Sequence, residues 1–218
     1  MKKFLSFLLF AAMIVSLPSS AVALNISPGD TITLGLPYND VPLANRGGGE
    51  FSMSTNKGVN FISFCLEIGE TINPGQPYVI QTIVPYATGG AGGASGGQDS
   101  ISGKTAWLYY MFFTGQLASQ YGYVKSDAAK GEDALQLAFW KLEGEYTGEL
   151  GSYSYFYDLV NTGGNGWNDN DLHGVAVINP IDGNNNQAQS ILVLTPEPLT
   201  LLLMGLGLVG LAGLRRKE

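Results

Sequence analysis

Apolar and polar positions alternate through the first part of the chain and then give way to a longer, helical spacing. Thr31-Ile32-Thr33-Leu34, Val59–Ile68 and Tyr78–Val84 are rich in β-branched and aromatic residues and are bounded by Gly, Pro and Asn, so each predicts a strand. Ala87–Gly103 is dominated by Gly, Ser and Ala; with so little side-chain surface to bury, it predicts a mobile loop centred on Gly89–Gly97. Lys104–Leu117 carries Trp107, Leu108, Tyr110, Met111 and Phe112 and is apolar nearly all round, as expected of a buried helix. Asp127–Glu145 predicts a second helix, with Ser126 or Asp127 as its cap and Ala134, Leu135, Ala138, Phe139 and Leu142 as one apolar stripe. Tyr153–Val160 reads as a short helix, a loop rich in Gly, Asn and Asp runs to His173, and Val175–Ile178 and Ile191–Leu194 read as closing strands. Strands and helices do not alternate. The order predicts an α+β domain, a β-rich sandwich or barrel with a helical insertion, and not a parallel α/β sheet.

The two ends follow different rules. Residues 1–23 have the form of a secretory signal peptide: Lys2-Lys3, an apolar run from Phe4 to Leu17, and Ala21-Val22-Ala23 as an A-x-A cleavage site. At the other end, Pro196-Glu197-Pro198 precedes Leu199–Leu214, 16 residues without a charge, and then Arg215-Arg216-Lys217. The run is shorter than the roughly 20 residues of a comfortable bilayer span, so tilt or local thinning would make up the difference. A basic cluster after such a run stays on the cytoplasmic side. The tail resembles the PEP-CTERM sorting signal of Gram-negative bacteria in all three parts. That resemblance implies transient residence in the inner membrane, recognition by a membrane-embedded exosortase, and release to the cell surface or the medium. A permanent anchor shares the topology and differs in keeping the tail. Gly205–Gly210 spells the G-x-G-x-x-G dinucleotide fingerprint, but inside a membrane segment it binds no cofactor.

Signal and tail leave a domain of 24–194, with the tail taken as 195–218. The segment Leu24–Thr195, 172 residues, suits one domain with a real core. It holds 6 basic and 16 acidic residues, a net charge of −10, which argues against nucleic acid or anionic lipid as a partner. Gly103-Lys104-Thr105 imitates the end of a phosphate-binding loop, but the required first Gly falls at Gln98. Asn168–Asp171 offers oxygen ligands, yet a calcium loop beginning at Asp169 would place Pro180 where the closing Glu belongs. Gly163-Gly164-Asn165-Gly166 lacks the tandem copies that a calcium-binding β-roll needs, and no metal is expected.

One cysteine is present, Cys65, so an intrachain disulfide is closed to it. On a strand, Ile62, Phe64, Leu66 and Ile68 share one face while Phe61, Ser63, Cys65 and Glu67 share the other, which turns Cys65 away from the most apolar side. On the second helix, Gln136 falls at the border of the stripe, close in angle to Phe139 and Trp140, and is partly desolvated there. Phe64-Cys65-Leu66 and Leu135-Gln136-x-x-Phe139-Trp140 together resemble the signature of bacterial surface thioester domains. The resemblance covers roughly Val59 to Glu145. It implies that the Cys65 thiol condenses with the Gln136 carboxamide, losing ammonia, with Phe64, Phe139 and Trp140 shielding the bond from water. It also implies covalent adhesion to amine or hydroxyl groups of a matrix polysaccharide or surface protein. Such chemistry is used once, needs no cofactor and is not enzymatic turnover. A passive, non-covalent component of an exopolysaccharide or biofilm matrix, with Cys65 inert, stands as the alternative. A Cys65–His173 hydrolase is conceivable by residue type alone, since His173 is the one histidine.

Overall fold

The computed structural model describes residues 24–35, 39–41, 44, 46–89 and 96–195. The expected signal peptide with Ala21 and Ala23 lies outside them, as does the tail with Pro196, Glu197, Pro198, its apolar span and Arg215, Arg216 and Lys217. Among the described residues no helix is long and apolar enough to cross a membrane.

Within the described residues the strands run β1 Thr31–Leu34, β2 Asn39–Val41, β3 Arg46–Gly48, β4 Phe51–Thr55, β5 Asn60–Ser63, β6 Pro77–Val84, β7 Tyr86–Thr88, β8 Gln98–Ser100, β9 Val175–Ile181 and β10 Ile191–Leu194. Six of them form one sheet in the order β10-β9-β6-β1-β4-β5, antiparallel at every step. The sheet curls until its two outer strands meet. Beyond β5, Cys65 bridges Ile191 of β10, and Leu66 N–H donates to Ser190 C=O at 2.9 Å. The Ser63 hydroxyl donates to Leu192 C=O at 2.6 Å. An even number of antiparallel strands closes without a parallel seam, and closure removes both exposed edges. The architecture is therefore a curled, barrel-like sheet and not a two-sheet sandwich.

Burial follows from residue pattern. β1 alternates half-buried Thr with buried Ile32 and Leu34, so one face is inside. β10 and the first four residues of β9, Val175–Ile178, are continuous apolar runs, buried on both faces. Their inward residues Ile178, Ile191 and Val193 join Ile32, Met53 and Phe61 in an interior core. Their outward residues Val177, Leu192 and Leu194 meet the helices. The helices are α1 Gly103–Phe113, α2 Gln116–Tyr121, α3 Glu132–Leu142 and α4 Tyr155–Asn161, a block lying between β8 and β9. α3 is buried from Ala134 to Trp140 because it serves both cores: Leu137 and Trp140 enter the interior, while Leu135, Ala138 and Phe139 enter the outer one.

Several elements differ from the sequence expectation. The helix expected over Lys104–Leu117 begins at Gly103, behind a Ser102 cap that accepts from Thr105 N–H, and breaks at Thr114–Gly115. α3 starts at Glu132 and not at Ser126 or Asp127; the Asp127 carboxylate instead accepts Ala129 and Lys130 N–H and closes a preceding turn. The acidic first turn, Glu132 and Asp133, complements the helix dipole in place of a side-chain cap. The Ala87–Gly103 tract is not a plain loop: β7 and β8 pair, with Ala87 and Asp99 buried and Thr88 N–H held by the Asn179 side chain at 2.9 Å. Residues 90–95 within it are outside the described set. The predicted strand Val59–Ile68 shortens to β5, because the chain from Phe64 leaves β4 to pair with β10.

Candidate functional site

The seam of the sheet brings Cys65 and Gln136 together. Gln136 Oε1 accepts Cys65 N–H at 3.0 Å, and Gln136 Nε2 donates to Cys65 C=O at 2.7 Å. The carboxamide thus pairs with one residue's backbone as a neighbouring strand would. The pairing exists because the strand has just ended: beyond Ser63 the backbone has no β4 partner on that side, and a buried N–H and C=O must find other ones. Gln136 Oε1 accepts a second bond, from Gly49 N–H at 3.2 Å. All of this is dry, with Gln136 at 0 %, Trp140 at 1 % and Cys65 at 4 % exposure. The partly desolvated border position expected for Gln136 is corrected to full burial, since α3 is enclosed on both sides. The expected split of the strand holds, with Cys65 turned away from Phe64 and Leu66, but the side it turns to is apolar as well. Phe61 and Cys65 face the interior core while Phe64 and Leu66 face the outer one, so both faces are apolar.

A short hairpin closes over the pair. β2 and β3 are antiparallel, and Val41 is completely buried against Gly48. A Cβ on Gly48 would stand 3.0 Å from Trp140 Cη2, 3.0 Å from Val41 Cγ2 and 3.1 Å from Gln136 Cγ, so any side chain there would have to press these neighbours back by a few tenths of an ångström. Gly49 has φ +84°, a left-handed conformation that aims its N–H at Gln136. One turn earlier on α3, Glu132 Oε2 accepts Glu50 N–H at 3.2 Å, and Lys125 joins Glu50 and Glu132 at 3.2 and 3.6 Å. The hairpin and β4 are absent from the sequence expectation; the run Arg46-Gly47-Gly48-Gly49 is the signal for the hairpin, and the alternation Phe51-Ser52-Met53-Ser54 is the signal for β4.

The expected shielding residues divide. Trp140 shares the interior core with Cys65, and its indole Nε1 has no hydrogen-bond partner among the described residues. Phe64 and Phe139 pack edge to face at 5.2 Å in the outer core, so they back the site from the far side of the strand and do not cover the thiol. Burial pushes the Cys65 thiol well above the usual cysteine range, and the Glu70 carboxylate pushes it further the same way. Glu70 is itself raised by burial and accepts Ser190 N–H at 2.8 Å. Chemically, the site is a buried cysteine whose backbone is paired with a carboxamide, and the carboxamide oxygen is polarised by two N–H donors.

The other sequence candidates lie elsewhere. His173 stacks on Trp167 at 3.9 Å and pairs with Asp171 at 3.3 Å, which ties it to its own loop and not to Cys65. Asp169 accepts Gly103 N–H at 2.6 Å and so ties its loop to the start of α1. A carboxylate group not foreseen from sequence, Glu67, Asp99 and Glu145, brings one oxygen from each to within 4.8 Å of the others, a spacing that metal ligands also show. Glu145 there also accepts Ile68 N–H at 3.0 Å.

Comparison with known families finds the PEP-CTERM protein-sorting motif at residues 194–217. It marks the chain as exported and processed by exosortase, with sorting to the cell surface in Gram-negative bacteria. No curated protein and no solved structure matches the chain.

Proposed function

We propose that this is an exported surface or matrix protein whose domain forms an internal thioester between Cys65 and Gln136 and uses it once for covalent adhesion. The thiol sulfur bonds to the carboxamide carbon, ammonia leaves, and the acyl group later passes to an amine or hydroxyl of a matrix polysaccharide or surface protein. The observation that supports this reading is the two-point pairing of the Gln136 carboxamide with the Cys65 backbone inside a dry core. Such a placement supplies the proximity on which a weakly nucleophilic, neutral thiol depends. The resemblance of the two short motifs to surface thioester domains supplies the chemistry. Because Gln136 is fully buried, a partner reaches the bond only after the elements covering it part.

A second reading is favoured by a different observation. The hydrogen bonds of the Gln136 side chain, among the described residues, go to backbone groups, which is what a purely structural clasp does. In that case Cys65 is inert and the protein is a passive matrix component. Intact mass spectrometry of the exported protein separates the two. The covalent reading expects a mass one ammonia below that of the sequence, no titratable thiol in the folded state, and addition of methylamine on incubation. Cys65→Ala and Gln136→Ala each abolish the loss. Full sequence mass with a titratable Cys65 leaves the passive protein.

A further inference from the structure

We propose that the N–H groups of Gly49 and Cys65 form an oxyanion hole over the Gln136 carbonyl, and that Glu132 is a positioning residue that holds the Gly49 donor in place. This rests on the thioester reading and adds to it the means by which the bond is made and broken. Two backbone donors converge on one carbonyl oxygen, at 3.0 Å from Cys65 and 3.2 Å from Gly49, in a water-excluded site. Both lone pairs of the oxygen are thereby taken, an arrangement a structural carbonyl also accepts. A tetrahedral centre that develops a full negative charge there needs both.

The step balances with the groups present. The Cys65 sulfur adds to the Gln136 carbonyl carbon, and the π pair moves onto Oε1, facing the two N–H donors. The thiol proton passes to Nε2, the C–N bond breaks, and ammonia departs from beside Cys65 C=O, the acceptor that holds Nε2 at 2.7 Å. In transfer, an amine adds to the same carbon, the same oxygen takes the charge, the C–S bond breaks and the amine proton goes to sulfur. Burial works against an anionic sulfur as well as against a bare oxyanion. Polarising the electrophile is therefore the route left open to the site.

Glu132 enters through the backbone next door. Its Oε2 holds Glu50 N–H at 3.2 Å, which fixes the peptide that follows Gly49. The Lys125 and Tyr123 side chains clamp Glu50 from the other direction. Glu132 and Gln136 are one helical turn apart on α3, so consecutive N–H groups at 49 and 50 dock on the same face of the helix.

The test uses the exported protein and follows methylamine capture by intact mass. Loss of one oxyanion donor costs about 10²–10³ in rate, so loosening it through Glu132→Leu should slow capture at least about tenfold. Glu132→Gln, which keeps an acceptor oxygen for Glu50 N–H, should restore most of the rate. Urea unfolding run in parallel reports stability, and a purely structural Glu132 would move that curve without slowing capture by the folded fraction. Should Glu132→Leu fail to fold, replacing Gly49 by glycolic acid in cell-free synthesis decides the matter. It swaps the N–H for an ester oxygen and should slow capture comparably. A wild-type mass one ammonia light with Glu132→Leu or the Gly49 ester variant reacting at the wild-type rate overturns the oxyanion hole alone. A wild-type protein at full mass overturns the thioester and the hole together.

Discussion

Replacing Gln136 by leucine, in a Cys65→Ala background, measures the carboxamide clasp by itself. The background matters because a crosslink across the 71-residue separation would restrict the unfolded chain by about 4 kcal/mol on the loop-entropy scale used for disulfides. With that removed, the leucine side chain would fill nearly the same volume but leave three buried backbone groups without partners. These are the N–H and C=O of residue 65 and the N–H of Gly49. At about 1–2 kcal/mol for each orphaned group, less about 1 kcal/mol gained from apolar burial, the net loss is about 2–5 kcal/mol. For a domain of this size that corresponds to a fall in Tm on the order of 10 °C. Urea denaturation of the single and double variants, with the m-value unchanged, supplies the number. A difference below about 1 kcal/mol would refute the reasoning, because it would mean that the seam at residue 65 holds without the side-chain pairing.

Two further outcomes are expected. Glu143 is raised above the ordinary carboxylate range by burial, against the weaker opposing pull of its hydrogen bonds from Thr105 and Ser102. A folded pKa raised above the unfolded value contributes stability that is full below about pH 4 and lost as pH rises through the folded pKa. Glu143→Gln keeps an acceptor for Ser102, so its stability relative to wild type should improve as pH rises above the ordinary carboxylate range; urea curves that stay parallel as pH rises would count against it. The mature protein should begin near Leu24 and lack the apolar span after Pro198, which terminal sequencing of protein from the cell surface or medium checks; a mature form ending at Glu218 would make the tail an anchor.

The sequence by itself determined what local chemistry and periodicity can carry. The sorting tail is legible because its Pro-Glu-Pro, apolar run and basic end are read in linear order. β1, β6, β9, β10 and the core of α3 are legible because alternation, unbroken apolar runs and helical spacing each have one natural burial. The short, Gly-rich and polar strands β2, β3, β7 and β8 have no such signature, and their pairing is fixed by what they dock on. Helix boundaries also escaped, since Asp127 caps a turn where it was expected to cap a helix, a choice between two local hydrogen-bond patterns that only packing settles. For the site, residue types singled out Cys65 and Gln136, but not why they meet. Closure of the sheet frees the Cys65 backbone from β4, and burial then obliges it to find a partner, which α3 supplies in Gln136. Gly49 and Glu132 join through hydrogen bonds 87 and 82 residues distant in the chain, and Gly48 through a hairpin whose glycine run does not say what it docks on; no linear pattern encodes those contacts. The tertiary structure decided them, because the space beside a glycine is set by the backbone or ring that docks there.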